Sequence, residues 1–378
     1  MQNNLHITMH SFPYASRILK ETDSLIRSGL VQHVYIAAIH EEGLMEHEVI
    51  DNAREVWRAR LRSRKWSRSF MVQLFKYIEY CAKVIRYVQH KNIKTVNIHS
   101  VALLPLGVLI KWIYKIKLVY DAHELETETY GLRGLRQAIA RVVERSLIRY
   151  VDLIIVVGNE INEWYRAKYH LLNVATVLNC PEFREPEHAR LLNRELNIPE
   201  DKKVVICQGL LERGRGVESL LEVFAEYNDN QHVLVLMGFG ELESLVRKYA
   251  SLHSNIYFHE PVPPALVLRY TASADVGIAY IDNPSLNDQF CLPNKFFEYI
   301  MAGLPVIVNN APAMRRIVNE NKIGIVLNEL TPQSLKNALD ELARTDAAIM
   351  TENLRRAALK YSWQEQERVM INAYKKYV

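Results

Sequence analysis

Two successive series of short β-branched runs, each alternating with helical patterns, limit this chain's fold more than any other feature. The first half carries "LHITM" (5–9), "HVYIAAI" (33–39), "TVNIH" from residue 95, "KLVYD" (117–121) and "DLIIVV" (152–157). Helical patterns lie between them, the first running from about Ser16 to a stop at Gly29. The second half repeats the plan with "KVVICQ" (203–208), "HVLVLM" (232–237), "NIYFH" (255–259), "DVGIAY" (275–280) and "PVIVNN" (305–310). Strands alternating with helices make parallel sheets covered on both faces. An α/β chain with two Rossmann-like domains is expected, at 1–178 and 200–360. The polar stretch 179–203, with three prolines, reads as a connection plus a short helix.

A length of 378 residues suits two domains, and 49% hydrophobic with 24% charged residues is a globular composition. The start, "MQNNLHITMHSFPY", reads as a strand pattern and not as a secretion signal. The longest apolar run, "VALLPLGVLI" (101–110), contains a proline and falls short of the ~20 residues that span a bilayer. Cys81, Cys180, Cys207 and Cys291 lie too far apart for a metal or disulfide framework. A reducing cytoplasm is the expected setting. Net charge is uneven: residues 1–175 hold 25 Lys+Arg against 17 Asp+Glu, and the remainder 22 against 26. The basic half should face something anionic.

In "LPNKFFEYIMAGLPVIVNN" (292–310), Glu298 stands alone in an apolar run, where a charge is costly unless something binds it. Pro293 suits a first helical turn and Gly303 a stop, so a helix is expected between them. Helix-start N–H groups favour an anion such as a diphosphate. Glu298 would then reach the vicinal hydroxyls of an attached sugar, or else pair with a nearby base. "GLLERGRGVESLLEVF" (209–224) follows a strand and sets Arg213 and Arg215 among three glycines. It is either a phosphate cradle or a solvated basic loop. In "YDAHELETE" (120–128), His123 lies at the carboxyl end of a strand, where parallel sheets gather ligands. It either polarises a substrate or is structural, with Asp121 and Glu124 available to orient it.

These three features, in this order, resemble glycosyltransferase family 4 over nearly the whole chain, with "LPNKFFEYIMAGLPVIV" the strongest match. "MGFGELESL" (237–245), "SADVGIAY" (273–280) and the closing "YSWQEQERVMINAYKKYV" (361–378) add to it. The resemblance implies the GT-B fold: two Rossmann-like domains facing across a cleft, with a C-terminal helix, 361–378, crossing back to the first. It implies retaining, metal-independent sugar transfer from a UDP- or GDP-sugar, with no cofactor. Glu298 would hold the donor ribose, Arg215 with Arg213 the diphosphate, and His123 the reacting sugar as the catalytic residue. The backbone at Val262 would receive the base. Many members carry a second glutamate eight residues before the ribose one, where this chain has Phe290. Backbone amides at 290–292, including Cys291 and Leu292, or Asp288, would take over its sugar contact. Lys295 resembles the Pro-x-Lys version of surface-polysaccharide transferases and is expected to bind phosphate or sugar.

Other classes fit less well. A dinucleotide oxidoreductase would need glycines, yet "MHSFPYASR" after the first strand has none, and "GFGELE" puts Glu243 at the third glycine position. A nucleotide-sugar epimerase on the same fold, or a non-catalytic membrane adaptor, remains an alternative. Between 54 and 94, 12 Lys+Arg face only Glu55 and Glu79. Trp57, Leu61 and Trp66 are interleaved there with Arg58, Arg60, Arg62, Arg64, Lys65 and Arg68. Tryptophan with arginine suits an anionic headgroup region, and no nucleic-acid motif accompanies the charge. Arg60, Arg62, Arg64, Lys65 and Trp66 are the expected acceptor or membrane contacts. The following pattern (Phe70, Leu74, Tyr77, Ile78, Cys81, Ile85, Val88) is expected to pack as a helix on the first domain. A peripheral enzyme on the inner face of the plasma membrane follows, with a glycan or polyprenyl-linked acceptor.

Overall fold

A computed structural model describes every residue except 1, 13–15, 68, 188, 228 and 283–284, and residue 70 by its backbone alone; Arg68 therefore lies outside the described residues. The chain divides into two compact units, Met1–Val177 with Glu367–Val378, and Leu178–Gln366.

The first unit runs β1 (Gln2–Ile7), α1 (Ser16–Arg27), β2 (Val31–Ile39), β3 (His47–Asp51), β4 (Arg54–Ala59) and α2 (Phe70–Val88). It continues with β5 (Ile93–Ile98), α3 (Leu104–Tyr114), β6 (Lys117–Ala122), α4 (Gly134–Leu147), β7 (Leu153–Val156), α5 (Asn159–Tyr169) and β8 (Val174–Thr176). The sheet order is β3-β4-β2-β1-β5-β6-β7-β8, parallel except for the β3–β4 pair. β7 is apolar throughout, as burial on both faces requires, and all four of its residues are buried.

The second unit opens with α6 (Leu191–Glu195), β9 (Lys203–Leu210), α7 (Val217–Glu226), β10 (His232–Phe239), α8 (Glu243–Leu252) and β11 (Ile256–His259). Then come α9 (Val267–Thr271), β12 (Val276–Ala279), α10 (Leu286–Phe290), α11 (Asn294–Met301) and β13 (Val306–Asn309). α12 (Pro312–Asn321), β14 (Gly324–Leu327), α13 (Pro332–Arg344) and α14 (Ala347–Lys360) complete it. Its sheet is parallel, in the order β11-β10-β9-β12-β13-β14. The last helix, α15 (Trp363–Tyr377), belongs to the first unit from Glu367 onward. There Arg27 Nη2 meets Glu367 Oε1 at 2.9 Å, and Asn97 donates to the Tyr374 hydroxyl.

In both sheets the strand order reverses at one place. Connections run outward from β1 through β2 on one side and from β5 through β8 on the other; the corresponding pair in the second unit is β9 and β12. The crevice at the carboxyl ends of such strands is where ligands of parallel α/β sheets bind.

The segment from Arg54 departs from the expectation. It is a strand, not a continuous basic face. Trp57 stacks on Tyr87 with centroids 4.4 Å apart. Arg58 is buried, its guanidinium donating to Ser11 O at 2.8 Å and Met45 O at 2.9 Å and pairing with Glu48 at 2.6 Å. α2 forms, but its phase is turned from the one expected. Val88 is buried as expected, but Tyr80 and Val84 are its buried companions, whereas Leu74 and Ile78 face outward.

Candidate functional site

In the second unit the site is built by docking α11 on the switch-point strands. Pro293 caps α11 and Gly303 follows its end, as the sequence led us to expect. Gly277 of β12 allows the close approach: a Cβ there would come within 2.3 Å of Tyr299 Cγ. The Tyr299 hydroxyl accepts from Gln208 N at 3.1 Å, tying the helix to β9. Lys295 and Glu298, one turn apart, then lie at the end of β9. Glu298 Oε2 accepts from Gln208 Nε2 at 2.6 Å. A carboxylate only accepts, so the amide nitrogen must face it, and Gln208 Oε1 is left to Thr271 Oγ1 at 2.7 Å. Lys295 Nζ lies 3.5 Å from Cys207 Sγ. Both α11 side chains are half-buried, which leaves part of each open to a ligand.

The other expected donor residues stand at the same sheet edge. Arg213 and Arg215 are exposed, and Arg213 Nε lies 3.8 Å from Glu218 Oε1. Gly216 caps α7 with φ +77°, and a Cβ on it would meet Tyr280 O at 2.5 Å, so the bend depends on glycine. The sequence did not disclose Asp282, whose Oδ2 accepts from Gly216 N at 3.1 Å and whose Oδ1 accepts from Ser219 Oγ at 2.9 Å. One donor at the helix start is thus taken by the protein itself. Val262 and Cys291 are half-buried against the core that also holds Leu292. Leu292 itself is buried. Phe290 ends α10, and Asp288 bonds to Ser285 at the start of that helix.

In the first unit His123 ends a buried polar chain at the β1/β5 switch point. His6 of β1 meets His99 (Nδ1 to Nε2, 2.9 Å). His99 Nδ1 lies 3.1 Å from Asp121 Oδ2, and His123 Nε2 lies 2.7 Å from the same oxygen. Arg17 of α1 closes the chain through Nη2 to Asp121 Oδ1 at 2.8 Å, and its Nε is 2.9 Å from Glu21 Oε1. Asp121 therefore orients His123, while Glu124 is exposed.

Two carboxyls share one guanidinium, and they divide accordingly. Burial alone would raise Asp121, but Arg17 and His123 hold it well below the usual carboxylate range. Burial, with Asp121 second, pushes Glu21 up to about 8, so it stays protonated at neutral pH. Burial pushes His99 down to about 4 and His6 well below its ordinary value, keeping both neutral. Burial also opposes charge on His123, but the Asp121 carboxylate outweighs it and the pKa rises. The ligand atoms of His99, Asp121 and His123 lie within 4.8 Å of one another, close enough to hold a cation. Their 2.7–3.1 Å contacts are hydrogen-bond separations, and Arg17 already neutralises the carboxylate, so the set suits a hydrogen-bonded relay.

The basic turn after β4 is a third feature. Arg60, Arg62, Arg64, Lys65 and Trp66 are exposed and line a groove of about 790 Å³ with the loop after β2. Arg60 pairs with Glu46 at 3.1 Å. Among the described residues, no helix is long and apolar enough to cross a membrane.

Comparison with known proteins covers both units. Residues 15–179 match the family described as "Glycosyl transferase 4-like domain", and residues 202–345 match "Glycosyl transferases group 1". The D-inositol 3-phosphate glycosyltransferase of Corynebacterium urealyticum is 25% identical over 298 residues, covering 71% of this chain and 68% of that protein. Sucrose-phosphate synthase from Thermosynechococcus elongatus superimposes with TM-score 0.78 at 16% identity, covering 100% of this chain and 99% of that one. Anabaena HepE, solved with UDP and glucose, superimposes with TM-score 0.73 at 14% identity over 100% of both chains. Those two structures share this chain's GT-B fold.

Proposed function

The chain belongs to the GT4-type glycosyltransferases, and on that premise we propose that it moves a sugar from a UDP- or GDP-sugar to a hydroxyl of a glycan or lipid-linked acceptor. The transfer is of a hexosyl or N-acetylhexosaminyl unit, retains anomeric configuration, requires no metal and serves cell-surface polysaccharide synthesis. One observation carries the reading: at the β9/β12 switch point, α11 sets a half-buried carboxylate one turn from a lysine. That is the pairing a ribosyl diphosphate asks for, with two hydroxyls to donate and a dianion to neutralise.

Glu298, held by Gln208, accepts from the ribose hydroxyls. Arg215, Arg213 and Lys295 stabilise the diphosphate, and the backbone at Val262 and at Cys291–Leu292 faces the base and the sugar. The bond from the anomeric carbon to the diphosphate oxygen breaks. The acceptor oxygen bonds that carbon on the same face, and its proton passes to the departing phosphate oxygen. Fixed cations lower the barrier by meeting charge that grows on the leaving group. His123, oriented by Asp121, serves the reacting sugar. The fold neighbour that holds UDP and glucose supports this class of donor. The first unit takes the acceptor, and its exposed Arg60, Arg62, Arg64, Lys65 and Trp66 set the enzyme on the inner leaflet.

The test is product analysis with UDP- and GDP-sugars and a polyprenyl-diphosphate-linked acceptor. A product heavier by one sugar, with the donor's anomeric configuration, is expected. An isomerised nucleotide sugar formed from donor alone would make the protein an epimerase instead.

A further inference from the structure

The outer face of α2 carries an apolar row that the first unit leaves open. Met71, Leu74, Phe75 and Ile78 recur at i, i+3, i+4 and i+7 and are 69, 43, 50 and 54% exposed. Scattered exposed apolar residues are ordinary, but a continuous row on one helix face marks an interaction surface. The turn before the helix folds back onto it. Trp66 stacks on Phe75 with centroids 5.4 Å apart, and Lys76 Nζ donates to Trp66 O at 3.2 Å. Glu79 accepts from Arg62 N at 2.7 Å and Ser63 N at 3.1 Å. The turn is therefore anchored, and it fixes Arg62, Arg64 and Lys65 beside the row. No acidic residue occurs between 60 and 76.

We propose that this surface docks on an anionic lipid bilayer, with the α2 row entering the acyl boundary and Arg62, Arg64 and Lys65 meeting lipid phosphates. Charge decides the occupant: Arg60, Arg62, Arg64 and Lys65 line the groove against one carboxylate, Glu42, and that excess of cations complements a phosphate surface. A fluid bilayer takes Met, Leu, Phe and Ile without shape complementarity, and Trp66 sits where tryptophan is favoured, between chains and headgroups. The membrane contact of the proposed function rests on four cations and Trp66. The row adds a part that salt does not screen, and the inference deepens that reading.

Sedimentation of the full chain with phosphatidylcholine vesicles, with and without phosphatidylglycerol, tests it. Wild type should sediment with the anionic vesicles and about tenfold less with neutral ones. Joint Leu74→Ser, Phe75→Ser and Ile78→Ser should lower partitioning by about tenfold in salt that screens the charges. Joint Arg62→Glu, Arg64→Glu and Lys65→Glu should abolish it at low salt. Two outcomes would overturn the proposal: no wild-type binding, or equal partitioning of wild type and the serine variant. A serine variant that loses only self-association would do the same, since the row would then be a contact between copies. Calorimetric binding of UDP or GDP to each variant reads the second unit separately. Failure of nucleotide binding with lipid binding intact would sink the glycosyl-transfer reading and leave this one standing.

Discussion

Gln208 Nε2 donates to Glu298 Oε2 at 2.6 Å, so the last buried residue of β9 holds the one carboxylate of α11. The pair ties the half-buried Glu298 carboxylate to the end of β9, where ribose hydroxyls would donate to it. Glu298→Ala should lower kcat/KM at least about tenfold while the protein folds, since a charged hydrogen bond contributes ~1.5–3 kcal/mol. Gln208→Leu should cost less, because it removes the orienting donor and not the acceptor. Steady-state kinetics checks both, and a folded Glu298→Ala with unchanged kinetics would remove the assignment.

Arg215 stands between Gly214 and Gly216 with its side chain exposed. Arg215→Ala should weaken a nucleoside diphosphate about tenfold and the parent nucleoside hardly at all, because only the first carries phosphate. Calorimetric titration of both ligands reads the difference. Equal weakening would mean the arginine supports the loop and not the ligand.

For His123, the geometry predicts a change of turnover more than of donor binding. Asp121→Asn removes the charge that raises the histidine's pKa, so the limb of the rate profile that reports His123 should move to lower pH. An unmoved profile, with donor binding and fold intact, would make the His123–Asp121 contact structural.

Stability should also depend on pH through Glu21. Its folded pKa of about 8 exceeds the ordinary carboxyl value of 4.5, so its contribution is complete below 4.5 and is lost as pH rises to about 8. His99 acts oppositely: its pKa of about 4 makes stability rise with pH up to 6.5. Between 6.5 and 8 only the falling contributions remain, His123 among them, and the melting temperature should decline. Glu21→Gln should flatten that decline. An identical slope in the variant would show that Glu21 does not carry a buried proton.

Much of the architecture could be read from local pattern, because parallel strands buried on both faces are apolar runs and α11 is bounded by Pro293 and Gly303. β4 was hidden because "REVWRA" looks like surface. Its Arg58 is buried only because distant carbonyls of Ser11 and Met45 receive the guanidinium. α2 kept the expected period with another phase, since Tyr80 points inward to donate to Thr8 O at 2.8 Å. The site was half legible. Glu298 and His123 were visible as polar residues in telling places, but His6 and His99 are joined across 93 positions. Their one signal was a histidine within or just after an apolar strand beside the switch point. Asp282 gave no local sign that it caps α7.

The central claim is that the β9/β12 switch point binds a nucleotide sugar through Glu298. Calorimetric titration of wild type and Glu298→Ala with UDP- and GDP-sugars tests it most directly. One donor should bind the wild type, and its affinity should fall about tenfold or more in the variant, consistent with the loss of one charged hydrogen bond. Equal affinity in the two proteins, or no nucleotide sugar binding to either, would contradict it.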